Sequence, residues 1–255
     1  MDLGLRDRRA LVCGGSRGLG AAVAAVLAGE GARVVLAARE SAALHDHAAE
    51  VGGVAVPVDL TAPDAAATAV GAASEALGGL DLLLINSGGP PPGTFAELDE
   101  AAWAKAIDGT LLATIRLLRA AVPALRASDV PAIVIILSSS VREPIPGLVT
   151  SNVMRPGLAG LIKSLITEIA PVRINGIAPG RVATERIASL DAKRAVDTGA
   201  KVEEVMRQSV ARIPLGRYGE PLEVGRVAAF LLSPAASYVN GAIVSVDGGM
   251  VRSLP

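Results

Sequence analysis

Seven short apolar runs, most of them rich in β-branched residues, recur along the chain: residues 10–13, 32–37, 54–58, 80–85, 132–137, 172–177 and 242–246. Most are apolar at nearly every position and do not alternate with polar residues, as expected of strands buried on both faces of a parallel sheet. Ala- and Leu-rich segments of helical length separate them. This alternation predicts an α/β fold of the doubly wound, Rossmann type, a seven-stranded parallel sheet with helices on both faces. Long helices are predicted over 103–126 and 157–170. Asp99, flanked by Glu97 and Glu100, reads as a capped helix start. No low-complexity linker interrupts the series, so residues 1–255 read as a single domain. The least regular stretch, 182–214, reads as an inserted helical segment over the sheet's edge. It is either a solvated excursion or a substrate lid, since loops at the carboxyl ends of strands build the ligand cleft of such folds.

Composition narrows the classes. Hydrophobic residues make up 51% of the 255 and charged ones 19%, which fills a sizeable core and argues against disorder. The net charge of −1 lacks the basic excess of a nucleic-acid surface. No run approaches the roughly 18 apolar residues that span a bilayer, and the charged N-terminal stretch has no signal-peptide core. The single cysteine, Cys13, forms no intrachain disulfide and fits an intracellular setting. A cytoplasmic α/β protein without nucleic-acid or membrane partners is expected. His45 and His47, two apart on a helix, point to different faces and lack Cys or clustered carboxylate partners, so no metal site is expected. Ser138-Ser139-Ser140 has no nearby histidine, which argues against a hydrolase triad.

The first run leads straight into Gly14-Gly15-Ser16-Arg17-Gly18-Leu19-Gly20 and then a strong helix-forming stretch. Gly14 permits a sharp turn, while Gly18 and Gly20 let backbone approach a phosphate and let the helix pack on the strand. The helix N-terminus offers free N–H groups and a partial positive charge to a diphosphate. Strand, glycine turn and helix together predict a dinucleotide site.

The spacing G-x-x-x-G-x-G resembles that of the short-chain dehydrogenase/reductase family, and the resemblance runs over essentially the whole chain. Asp59-Leu60 looks like the family's adenine-contacting pair. Asn86-Ser87-Gly88-Gly89 looks like its N-N-A-G element, and Pro179-Gly180-Arg181-Val182-Ala183-Thr184 like its nicotinamide-side P-G-x-x-x-T segment. The end of the chain, from Tyr238 to Gly249, looks like the family's closing strand, usually a subunit interface. That strand and the long helices imply a homo-oligomer, a dimer or tetramer. The resemblance extends to 3-oxoacyl carrier-protein reductases at the family level and does not fix the substrate.

The choice of dinucleotide is read from the second strand, which ends Leu36-Ala37-Ala38-Arg39 with no acid before Glu40. An acid there would favour NAD, whereas arginine accommodates a 2′-phosphate. Arg39 and Arg17 converging on one phosphate match its geometry and charge, so NADP(H) is favoured over NAD(H).

The resemblance breaks at the catalytic positions. The family uses a Ser after the fifth strand, a Tyr acid/base, a Lys four residues on, and an Asn in the preceding helix. Ser138 matches the first. Ser151 stands in the Tyr position, Arg155 in the Lys position and Thr110 in the Asn position. A serine hydroxyl is a far weaker acid than a phenol, and arginine stays protonated. Arg155 can still hold ribose hydroxyls and stabilise oxyanion charge. General acid–base catalysis is worth roughly 3–5 kcal/mol, whereas proximity supplies roughly 7–11 kcal/mol. Turnover on a small-molecule ketone/alcohol pair is therefore expected to survive, with a water held by Ser138 and Ser151 delivering the proton. Glu143 is a second candidate acid if its cleft is dry; otherwise it forms a surface pair with Arg142. Pro156 places Arg155 at a helix entrance, because proline is tolerated in a first turn. Tyr218 and Tyr238 fall in segments that look structural. Pro90-Pro91-Pro92-Gly93 reads as a stiff turn at the cofactor edge. The alternative to an enzyme is a catalytically silent dinucleotide-binding protein, a sensor or partner subunit.

Overall fold

In the computed structural model, which describes residues 2–253, all seven apolar runs form strands. They are β1 (Arg9–Cys13), β2 (Arg33–Ala38), β3 (Val54–Pro57), β4 (Leu82–Ile85), β5 (Ala132–Ile136), β6 (Arg173–Pro179) and β7 (Ile243–Val246). The sheet is parallel throughout, in the order β3-β2-β1-β4-β5-β6-β7. The chain reverses its direction of winding between β1 and β4. The carboxyl ends of those two strands therefore diverge into a crevice, the usual ligand position of such sheets.

The strands are apolar on both sides because each side meets a helical layer. Leu11 and Cys13 of β1 face one cluster, with α3 (Ala65–Leu77), α5 (Ala113–Leu125) and α6 (Val149–Glu168). Ala10 and Val12 face the other, with α1 (Gly18–Gly29), α2 (Ala42–Glu50) and α9 (Pro221–Leu232). Successive strand residues point to opposite faces, so a doubly covered strand admits a polar side chain only when it is paired, as is Asn175 of β6, fully buried, which donates to Val239 O and accepts from the Ala242 N–H. The central strands β4 and β5 are buried at every position. The edge strand β7 is only partly buried.

Two helices depart from the sequence expectation. α4 (Glu100–Ala106), whose start is capped by Asp99 accepting from the Ala102 N–H at 2.8 Å, runs into α5 through one π-helical stretch, Ile107–Leu112. The rod over 103–126 is thus continuous but locally widened, and Thr110 sits in the widened part. Such insertions often mark functional sites. α6 begins at Val149, so Pro156 lies well inside it and Arg155 is not at its entrance. The first turn is anchored instead by tertiary contacts. Thr150 Oγ1 donates to Pro91 O at 2.7 Å, and the Val149 N–H donates to Gly93 O at 3.2 Å. These bonds hold a helix start that local propensity would have placed later.

The irregular stretch contains α7 (Glu185–Thr198) and α8 (Val202–Val210). α7 is tied to the body by an ionic cluster around a buried carboxylate. Asp191, 1% exposed, accepts from Arg181 Nη1 and, at 2.8 Å, from the Tyr218 hydroxyl. The Arg181 guanidinium lies over the Tyr218 ring, 5.7 Å from its centroid. Tyr218 therefore has a structural place, as its segment implied.

Candidate functional site

A cleft of about 1700 Å³ opens at the carboxyl ends of the strands. Its floor is the glycine turn. The Gly14 N–H donates to Ala37 O at 2.7 Å, and Gly14 adopts φ +70. A Cβ on Gly14 would lie 2.4 Å from Asn86 O, and one on Gly20 would lie 2.1 Å from Gly14 O. Those distances permit no side chain at either position. Gly20 is buried and sets the approach of α1 to the turn, whereas Ser16, Arg17, Gly18 and Leu19 line the cleft. Asn86 Nδ2 donates to Gly14 O at 3.4 Å, coupling the end of β4 to the turn.

The other expected cofactor positions lie around the same cleft. Asp59, Leu60, Ser87, Gly88, Pro179, Gly180, Val182 and Thr184 all line it. Asp59 accepts from the N–H and hydroxyl of Thr61, which together with the Arg39 charge hold its carboxyl below the ordinary range. Val182 is packed into the core, so only its backbone is offered to the cleft. Thr184 caps α7, accepting from the Ile187 N–H at 3.4 Å. Ser87 is the most informative of the set. Its hydroxyl is buried, has no hydrogen-bond partner and belongs to a residue lining the cleft. A buried hydroxyl without a partner costs about 1–3 kcal/mol, and a polar ligand in the cleft would offset that. The glycine cradle and this hydroxyl fit a dinucleotide.

Arg17 and Arg39 both line the cleft but meet different carboxylates. Arg39 is exposed at the end of β2, near Asp59. Arg17 Nη1 instead lies 2.6 Å from Glu185 Oε2, an exposed pair spanning the cleft mouth from the glycine turn to α7. In this structure the Glu185 carboxylate is the anion that Arg17 meets.

The four catalytic candidates lie in one part of the cleft. Ser138 Oγ accepts the Ser140 N–H at 3.1 Å, which leaves its own proton free to donate. Ser151, 7% exposed, shares a hydrogen bond with Ser140 through their hydroxyls, 3.2 Å apart. Thr110, 1% exposed, faces the cleft from the π-helical stretch, its carbonyl accepting from Thr114 Oγ1 at 2.7 Å. Arg155, 5% exposed, donates from Nη1 to Ile136 O at 2.7 Å. Burial first, and the Arg186 charge second, push its guanidinium down to about 10, still cationic at neutral pH. Glu143 is exposed on the cleft lip, so the dry environment needed for an acid is absent. It forms no ion pair with Arg142 among the described residues. His45 pairs with Glu40, and no metal-binding group of His, Cys, Asp or Glu occurs among the described residues.

Two residues went unnoticed in the sequence. Ser140 was hidden inside a serine triplet that carried meaning only as a failed hydrolase motif. Arg186 lay among many charges of an irregular stretch, and nothing local showed that it reaches the loop after β4. It donates from Nη2 to Pro90 O at 2.8 Å.

Residues 14–251 match the family model described as enoyl-(acyl carrier protein) reductase. The chain is 32% identical over 253 residues to an uncharacterised oxidoreductase of Mycobacterium tuberculosis, covering 96% of this chain and 93% of that one. It is 29% identical over 252 residues to the 3-oxoacyl-[acyl-carrier-protein] reductase FabG of Vibrio cholerae, covering 97% and 99%. The crystal structure of L-sorbose reductase from Gluconobacter frateurii, complexed with NADPH and L-sorbose, is similar over 100% of both chains at 30% identity, with a TM-score of 0.93. No helix among the described residues is long and apolar enough to cross a membrane.

Proposed function

Because the chain belongs to the short-chain dehydrogenase/reductase family, we propose that it is an NADP(H)-dependent oxidoreductase that interconverts a ketone and an alcohol without the family's Tyr and Lys. The observation that carries this reading is one cleft holding both the glycine cradle with the unpartnered Ser87 hydroxyl and the group Thr110, Ser138, Ser151 and Arg155. When bound, the reduced dinucleotide supplies the hydride. The glycine turn and Ser87 would hold it, with Gly14, Ser16, Gly18, Leu19, Asp59, Leu60, Asn86, Gly88, Pro179, Gly180, Val182 and Thr184 around it. Arg39 supports the choice of NADP(H), since no acid stands at the end of β2 to take its place. Arg17 would leave Glu185 for the same 2′-phosphate, exchanging an exposed pair worth little for a doubly charged partner.

Ser138 orients the substrate, because its hydroxyl proton is free to point at a carbonyl oxygen. Arg155 is fixed at one end by Ile136 O, and its remaining N–H groups can hold ribose hydroxyls and the developing alkoxide. Neither serine approaches the acidity of the phenol that Ser151 replaces, so the alkoxide draws its proton from solvent. A water held between Ser138 Oγ and Ser151 Oγ transfers the proton. α7 and α8 act as the lid, held down by Asp191. The partly buried β7 edge and the fully exposed Tyr238 suit a second copy of this chain.

NADPH oxidation over a panel of carbonyl compounds tests this reading. Ser138→Ala is expected to lower kcat about 10²-fold. Ser151→Ala is expected to lower it less than about tenfold, because the water keeps its other partner. Full activity in Ser138→Ala would contradict the assignment. NADPH binding with no turnover on any carbonyl would favour the silent dinucleotide-binding alternative.

A further inference from the structure

The cleft beside the catalytic group carries two guanidiniums and, among the described residues, no carboxylate that answers them. Arg155 is nine-tenths buried and, among the described residues, gives a single hydrogen bond, to a backbone carbonyl. Arg186 stands on α7 and, among the described residues, likewise hydrogen-bonds only a carbonyl, Pro90 O. Both line the same cleft, and their like charges repel. Each acid that lines the cleft is committed elsewhere or stands apart. Glu40 pairs with His45, Asp59 with Thr61, Glu97 with Thr94, Glu185 with Arg17 and Asp197 with Lys193. Glu143 is exposed on the lip and contacts neither guanidinium.

Arg186 is also held in place. Its guanidinium stacks against Gly89, where a Cβ would come within 2.8 Å of Nε and Cζ. The prolines that follow fix the loop that presents Pro90 O, and Thr150 ties Pro91 to α6. The stiff Pro90–Pro92 turn thus sets the position of an arginine from another element. A planar fork held at one edge leaves its other N–H groups for a bidentate oxyanion. Arg186 is exposed to the cleft and screened by solvent while Arg155 is buried; an anion reaching both would relieve the repulsion that remains.

We propose that the substrate is a keto acid, its carboxylate bound by Arg186 and lying between Arg186 and Arg155; this rests on the oxidoreductase reading above. The carbonyl carbon takes a hydride from NADPH, the C=O π pair moves to oxygen, and that oxygen takes a proton from water. The products are a hydroxy acid, NADP⁺ and hydroxide.

The test compares 2-, 3- and 4-oxo carboxylates with their primary amides, in the full-length protein with NADPH. Wild type is expected to prefer the carboxylates at least about tenfold in kcat/KM, the size of one charge-assisted contact. In Arg186→Gln that preference falls to about one, and in Arg186→Lys part of it returns. The NADPH Kd, read by fluorescence, moves less than about twofold in either variant. A tenfold weaker NADPH Kd in Arg186→Gln would assign Arg186 to the cofactor diphosphate and overturn the proposal. Equal use of amides by wild type would also overturn it, as would preference for phosphate-bearing ketones over keto acids. If no compound turns over, the oxidoreductase reading fails separately. Calorimetric titration of the same pairs into the NADPH complex then decides: carboxylate binding lost in Arg186→Gln supports the anion site, and absent binding refutes it.

Discussion

Replacing Arg155 with methionine is expected to lower kcat/KM by about 10²–10³-fold, the cost of removing a preorganised oxyanion donor, while the ligand-free fold loses no stability. The second half of this expectation follows from burial. The guanidinium is held down to about 10, well below its usual value. For a base, a lowered value means that the folded state binds protons less readily than the unfolded chain. The cost of keeping it charged is therefore fully present below about pH 10 and fades only as pH rises beyond that. It amounts to about 3 kcal/mol. Removing the charge recovers that cost, set against about 1–3 kcal/mol for leaving Ile136 O without its donor. Methionine fills the space with a flexible apolar chain. Thermal unfolding without ligand should show Tm at or slightly above wild type, equally so from pH 6 to 9. A drop of several degrees with activity retained would make Arg155 a structural cap for β5.

The second large effect is expected at Asp191, far from the reacting atoms. Asp191→Ala leaves Arg181 and the Tyr218 hydroxyl without their shared acceptor. Breaking a buried pair from one side costs about 3–5 kcal/mol. For a chain of this size that lowers Tm by about 10 °C. α7 carries Arg186 and much of the cleft wall, so substrate KM should rise more than the NADPH Kd. The double variant Arg181→Met/Asp191→Leu removes both charges and should recover most of the lost Tm, because replacing a buried pair by apolar groups is often neutral. An unchanged Tm in Asp191→Ala would show that α7 is held by its apolar contacts alone.

These two residues differ in how much of their role the sequence carried. Arg155 was legible by register, four residues after Ser151. The strands were legible because a doubly covered sheet demands nearly continuous apolar runs, and such runs survive any detail of helix packing. The glycine turn was legible because Gly14 and Gly20 meet steric demands of one local turn. What was not legible depends on partners distant in the chain. The start of α6 is set by Thr150 and Val149 bonding to the proline turn some 60 residues earlier, so Pro156 misled the local reading. Ser140 meets Ser151 only after α6 has folded over β5. Arg17 turns to Glu185, 168 positions away, and no periodicity announces that pairing. Arg186 meets Pro90 across 96 positions. Local steric requirements are thus written in short motifs, and electrostatic pairings across the cleft are not.

The most direct test of the account is a fluorescence titration of the purified protein with NADPH and, in parallel, NADH. NADPH is expected to bind more tightly, and Arg39→Ala to weaken NADPH at least about tenfold while leaving NADH nearly unchanged, because the lost contact is to the 2′-phosphate alone. Tighter binding of NADH, or no binding of either nucleotide, would contradict it.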